Sequence, residues 1–156
     1  MAQADADSPR PIVQPLLVFL ATLVAGLTLH FAFPRRVLPR GWPHLALGLP
    51  LIGIALALSA WAHRTMWEAG TNVSFNKPTT KVVTHGPYRI SRNPMYLASA
   101  LGIMGVAAIV NTLWIVLLVP MQIAIISLQI KREERYLRRE FPEEYPRYKA
   151  RVRRWL

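Results

Sequence analysis

Residues 94–130 read PMYLASALGIMGVAAIVNTLWIVLLVPMQIAIISLQI, 37 positions without a charge. As one helix they would measure about 55 Å, against a hydrocarbon core of about 30 Å, so the block must fold back on itself. Its first half has one strongly polar pair, Asn111-Thr112. A turn there gives one helical arm over 94–110 and a second from Leu113 onward. Pro94 suits the first helical position, where a missing N–H costs nothing. Pro120 should kink the second arm, and neighbouring helices can satisfy the carbonyl it frees.

Outward from the hairpin, two further uncharged blocks precede it, Leu16–Phe33 and Leu45–Ala62, each long enough to cross a bilayer. Trp42 and Trp61 stand near the ends of the second, where indoles favour the interface. The expected architecture is all-α and polytopic, a single membrane-embedded domain over 1–156 with about four spans, at 16–33, 45–62, 94–110 and 113–130. The second arm should run without a break through Ile130 into Lys131–Arg139. Pro142 and Pro146 then punctuate a basic tail. The segment 63–93 is rich in turn formers (Gly70, Asn72, Asn76, Pro78, Gly86, Pro87) and should hold at most short helices. The polar, weakly acidic Met1–Arg10 lacks the basic region and cleavage site of a secretory signal, so the first apolar block is expected to stay as an anchor.

Hydrophobic residues make up 53% of the 156-residue chain, yet its formal charge is +11. The basic residues crowd at the ends of the apolar blocks, which fits a membrane protein with basic flanks and no nucleic-acid partner. Lys and Arg number 16 over the N-terminus, the segment 63–93 and the tail, against 3 in the loop between the first two spans. The positive-inside rule therefore places both termini and the polar segment in the cytoplasm, in a bacterial inner membrane. There is no cysteine, so neither disulfides nor a thiol nucleophile is available. No strand–glycine loop–helix pattern appears, which excludes a Rossmann-type nucleotide site.

The remaining chemistry lies in His85-Gly86-Pro87-Tyr88-Arg89-Ile90-Ser91-Arg92-Asn93-Pro94-Met95-Tyr96 and in Glu133-Glu134. The topology puts both at the same membrane face, where together they suit a ligand carrying a carboxylate and a cation. Each has a plainer reading. Gly-Pro-Tyr can be a turn, and Glu134 can pair with Arg138 at i, i+4 on a solvated surface. Ala98, Gly102 and Gly105 share a helix face that serves either close helix packing or the wall of a lipid or cofactor site. His30 and His44 flank the first loop and would be the ligands if the chain were instead a haem-binding or transport-associated subunit. Asn72-Val73-Ser74 matches a glycosylation sequon that has no meaning in the cytosol, and the basic tail suits anionic headgroups.

The ordered set resembles the isoprenylcysteine carboxyl methyltransferase and phospholipid methyltransferase superfamily. Its carriers are Gly70-Thr71-Asn72-Val73, Gly86-Pro87-Tyr88, Arg92-Asn93-Pro94-Met95-Tyr96, Glu133-Glu134 and the tail pattern Leu137, Phe141, Tyr145, Tyr148, Val152, Arg154-Trp155. The resemblance covers roughly residues 45–156, and Asn93 matches the bacterial-type members. It implies S-adenosyl-L-methionine as cofactor, a lipophilic or lipid acceptor and no metal. The cofactor residues it implies are His85, Gly86, Pro87, Tyr88, Arg92, Asn93, Pro94, Tyr96, Glu133 and Glu134, with Arg92, Glu133 and Glu134 in the reacting centre. The acceptor can be the carboxylate of a prenylated thiol or related lipid, or the amine of a phospholipid. An arginine such as Arg89 or Arg92 would orient the first, and a glutamate would deprotonate the second.

Overall fold

A computed structural model describes residues 14–70 and 80–156. The expectations for Met1–Arg10, for Thr71-Asn72-Val73 and for the sequon lie outside the described residues. Five helices follow one another: α1 (Pro15–Ala32), α2 (His44–Glu68), α3 (Pro94–Val110), α4 (Leu113–Glu140) and α5 (Glu144–Arg151), with a 3-10 turn over Gly86–Arg89 before α3. No strand occurs among the described residues. Helices α1, α2 and α4 are long and apolar enough to cross a membrane, and α3 is a shorter apolar helix of 17 residues. The hairpin turns where the sequence placed it.

Small residues decide how α2 and α3 meet. Gly48, Ala55 and Ala62 recur every seven residues on α2 and are buried, so they form one stripe along the helix. Opposite them stand Ala98, Gly102 and Gly105. A Cβ on Gly48 would lie 2.7 Å from the Gly105 carbonyl oxygen, and one on Gly105 would lie 3.1 Å from the Gly48 carbonyl oxygen. The two backbones therefore touch, as small residues allow in membranes. The small face of α3 packs on α2 through Gly102 and Gly105.

On the other side, α1 buries Val18, Thr22 and Gly26, four residues apart, and Gly26 backs directly onto Ile115 of α4. A core of Ile103, Ala107, Ile115 and Val119, flanked by Phe19, Leu23 and Leu27, joins α1, α3 and α4. Outward-facing Leu16, Leu20, Val24, Leu49, Leu56, Leu117 and Leu128 are exposed, which suits helices whose solvent is lipid.

At the hairpin tip Asn111 adopts the left-handed conformation (φ 55°) that ends α3. Asparagine tolerates this conformation better than other side chains. Its Oδ1 accepts from the Val37 and Leu38 N–H groups at 3.1 and 2.8 Å, and its Nδ2 donates to the Leu38 carbonyl at 3.1 Å. Trp114 Nε1 donates to the Phe33 carbonyl at 2.6 Å, and the Leu113 N–H to that of Arg35 at 2.9 Å. The loop between α1 and α2 is thereby fastened to the turn between α3 and α4.

Two elements depart from the expectation. Helix α2 continues to Glu68, because Ala62 and Thr65 are buried against the Gly86 turn and Arg64 pairs with Glu68 at 2.7 Å. The tail folds into α5 despite Pro146, which is its third residue, in the first turn where an N–H has no intrahelical partner. Burial of Tyr145 and Tyr148 fixes that helix.

Candidate functional site

The polar end of the bundle collects the start of α1, the end of α2, the Gly86 turn, the start of α3, the end of α4 and α5. Ala62, Val83, Tyr88, Tyr145 and Tyr148 form one cluster there, and Val18, Tyr96, Ile126 and Ile130 another, with Trp155 against it. Gly86 has φ 60°, and a Cβ on it would come within 2.7 Å of Thr65 Oγ1, so the turn is seated on α2. Pro87 and Pro94 are fully buried.

The centre is Glu134. Its carboxylate receives Arg154 in a two-pronged contact, Nε to Oε1 at 3.0 Å and NH2 to Oε2 at 2.8 Å. Arg92 NH1 lies 3.1 Å from Oε1, and Lys149 Nζ 3.9 Å from Oε2. Burial alone would raise this carboxyl, but the Arg154 hydrogen bonds, with the charges of Arg92, Arg154 and Lys149, hold it below the usual carboxylate range. The same Glu134 contact raises Arg154. Glu134 is thus a buried ion-pair centre. Its surface pairing with Arg138 does not form.

Arg92 is the least exposed cation of the set, its side chain 8% accessible. NH1 also donates to Tyr145 Oη at 3.1 Å, while Nε is buried and without a partner among the described residues. Its N–H donates to the Arg153 carbonyl at 2.9 Å. Ser91 Oγ and Asn93 Nδ2 each donate to the Arg154 carbonyl at 3.0 Å. The segment after α5 is therefore strapped across the start of α3, which places the Arg154 side chain over Glu134.

Glu133 faces elsewhere, because successive residues on a helix point about 100° apart. Tyr96 Oη donates to its Oε1 at 2.7 Å and Gln129 Nε2 at 3.0 Å. Burial raises its carboxyl above the usual range despite those two hydrogen bonds, and the neighbouring Glu134 charge adds to the effect. The structure consequently splits the glutamate pair into one carboxylate saturated with cations and one lodged among neutral donors, with no ion pair to a cation among the described residues.

The other predicted positions serve this frame. Tyr88 is buried, its hydroxyl toward Met95 Sδ at 3.8 Å and its carbonyl accepting from Tyr148 Oη at 2.7 Å. Burial raises the Tyr88, Tyr145 and Tyr148 phenols, so all three stay protonated. His85 is exposed, and its ring makes no hydrogen bond among the described residues. Its backbone carbonyl caps the turn by accepting the Tyr88 N–H at 3.2 Å. Arg89 is exposed. Asn93 binds the segment after α5. Reading the tail as a headgroup anchor misses Arg154 and Lys149 as partners of Glu134. Gln129 carries a signal that the sequence reading passes over, a polar residue four before Glu133 in an apolar helix.

The phospholipid methyltransferase family model matches residues 43–144, which takes in α2, the Gly86 turn, the hairpin and both glutamates. The chain belongs to that family. Family membership and three apolar helices together make it an integral membrane methyltransferase-type domain. The cobalt-zinc-cadmium resistance protein CzcN of Cupriavidus metallidurans is 34% identical over 106 residues, 66% of this chain and 46% of that protein. The nickel-cobalt-cadmium resistance protein NccN of Alcaligenes xylosoxydans xylosoxydans is 31% identical over 68 residues, 43% of this chain and 32% of that protein. An uncharacterized protein of Haemophilus influenzae is 60% identical over 30 residues, 19% of this chain and 48% of that protein. The chain spans under half the length of each of these relatives. No solved structure matches it significantly. Among the described residues no group of three or more His, Cys, Asp and Glu can hold a metal ion.

Proposed function

We propose that the protein transfers a methyl group from S-adenosyl-L-methionine to a lipophilic acceptor arriving from the bilayer, at the cytosolic face of a bacterial inner membrane, with the whole chain acting as one domain. The observation that carries this reading is the juxtaposition, within a phospholipid methyltransferase family domain, of a buried Arg92 with an unpartnered Nε and two glutamates of opposite electrostatic character. The donor set fits the cofactor: Arg92, held in place by Glu134, would take its carboxylate through Nε, and the Gly86-Pro87-Tyr88 turn with His85 would flank the nucleoside. Pro94 and Asn93 set the start of α3 so that Arg92 and Tyr96 face this region. When bound, the cofactor supplies an electrophilic methyl on a sulfonium.

Of the two acceptor chemistries, Glu133 supports the amine. A carboxyl raised by burial and paired with neutral donors is a stronger base than an ordinary carboxylate; ionised, it attracts an ammonium and accepts its proton. A carboxylate acceptor would be repelled there, while Arg92 is committed to the cofactor in this reading, Arg154 is paired with Glu134 and Arg89 is exposed. Glu133 thus takes the proton that frees the nitrogen lone pair. The freed nitrogen would then be the nucleophile toward the methyl group that a bound cofactor supplies. Tyr96 holds Glu133 in place. The acceptor is then a phospholipid amine in preference to a prenylated carboxylate.

The test is calorimetry of S-adenosylhomocysteine binding to the full chain in detergent, followed by transfer of labelled methyl to a total lipid extract. Binding lost in Arg92→Ala, with label that base does not release as methanol, is the expected result. No binding by well-folded protein refutes methyl transfer, and base-labile label refutes the amine.

A further inference from the structure

Away from the Arg92–Glu134 cluster, a polar seam runs between the arms of the hairpin. Gln122 is 1% exposed and lies seven residues before Gln129 and eleven before Glu133, so all three share one face of α4. Ser99, one turn beyond Tyr96 on α3, meets Gln122 Nε2 at 3.4 Å, a long contact. The Gln122 Oε1 is buried with no partner among the described residues. Turning the amide over exchanges oxygen for nitrogen, so in either orientation one polar atom is left over.

A glutamine that only clamps two helices would spend both ends of its amide on protein, because an unmet polar group in hydrocarbon is costly. Polar side chains at this depth point to function by default. Moreover, α3 lies far more closely on α2 than on α4, and Ser99 is only half-buried. The seam can admit a group from the bilayer while the glycine contacts with α2 stay intact.

We infer that Gln122, with Ser99, is a recognition site for the acyl linkage of the lipid acceptor: with the amide turned so that Oε1 accepts from the Ser99 hydroxyl, Nε2 donates to an ester carbonyl while the lipid's amine sits at Glu133. This rests on the amine-lipid reading above. Eleven residues of α4 place Gln122 at most about 16 Å from Glu133, and Tyr96, three residues from Ser99, already reaches that carboxyl. An extended glycerophospholipid carries its ester carbonyls at a comparable remove from the head-group nitrogen. A plain hydrocarbon chain offers nothing to the amide, so the site selects for acylated over unfunctionalised chains.

The experiment compares dioleoylphosphatidylethanolamine with its dialkyl ether analogue, which has the same head and chains but no carbonyl. Each is titrated into the delipidated full chain in detergent and bound lipid is read by native mass spectrometry, with S-adenosylhomocysteine calorimetry in parallel. The wild type should hold the diacyl lipid roughly three- to tenfold more tightly, the worth of one hydrogen bond. Gln122→Met, which conserves volume, should erase that preference, and Ser99→Ala should reduce it. Equal affinity of the wild type for both lipids, no binding of either, or a preference that survives Gln122→Met overturns the linkage site. A preference that behaves as expected while S-adenosylhomocysteine fails to bind leaves the linkage site standing and removes the methyl-transfer reading.

Discussion

Replacing Glu134 by glutamine keeps its volume and removes the charge on which three cations converge. The cost follows from which of them can escape to water. Arg154 and Lys149 have side chains 30% and 36% exposed and can swing outward, so each loses little, on the scale of a surface pair at up to about 1 kcal/mol. Arg92, at 8%, cannot. It would be left as a buried guanidinium without a counter-ion, and breaking a buried pair costs about 3–5 kcal/mol. We expect Glu134→Gln to lower unfolding stability by about 3 kcal/mol, a large part of the roughly 5–15 kcal/mol a domain has. Arg154→Ala should cost under about 1 kcal/mol, because Arg92 and Lys149 still neutralise the carboxylate. Denaturant unfolding in mixed micelles, followed by tryptophan fluorescence, measures both. A Glu134→Gln protein within 1 kcal/mol of the wild type, or an Arg154→Ala cost equal to it, refutes the assignment of Arg92 as the trapped charge.

The two glutamates should also respond to pH in opposite senses. Glu134 has a lowered carboxyl, so its stabilisation is full at neutral pH and is lost as pH falls through that lowered value, a loss absent in Glu134→Gln. Glu133 has a raised carboxyl, so stability declines as pH rises from the usual carboxylate range through the raised value; Glu133→Gln should flatten that decline in a pH series of melting curves. At the hairpin tip, Asn111→Gly keeps the left-handed backbone but forfeits three hydrogen bonds, and Asn111→Ala adds the backbone penalty. Thermal melts should rank wild type above Gly and Gly above Ala, the last step by about 1 kcal/mol. Gly48→Ala should destabilise by about 1–3 kcal/mol through overpacking against Gly105 and Ile109. Gly53→Ala, with open space at its Cβ, should gain up to about 1 kcal/mol. Equal effects in the same melts would contradict the packing described.

The hairpin was legible because bilayer thickness forbids one helix over 94–130 and a single polar pair marks the turn. Pro94 gave the start of α3 for an equally local reason, its missing N–H. Helix α5 was not legible, since Pro146 and dense charge argue against a helix until the burial of two tyrosines is known. The site was half legible. Motif order located Arg92 and the glutamates, but charge type alone does not reveal which cation a carboxylate meets. Arg154 reaches Glu134 because three hydrogen bonds to the Arg153 and Arg154 carbonyls strap the last segment across the start of α3, and Lys149 reaches it from α5. Likewise, adjacency in sequence suggested that Glu133 and Glu134 share one task, and helical rotation separates them.

That rotation makes α4 a phase-coded rod. One residue removed between Gln129 and Glu133 would turn everything beyond it by about 100°. Glu134 would come to occupy the neutral niche beside Tyr96, while Arg92 would face whatever followed. The paired glutamates are therefore not redundant copies. The spacing from the hairpin turn to Glu133 fixes which of them meets the cations and which meets Tyr96 and Gln129, so this stretch of helix tolerates no change of length.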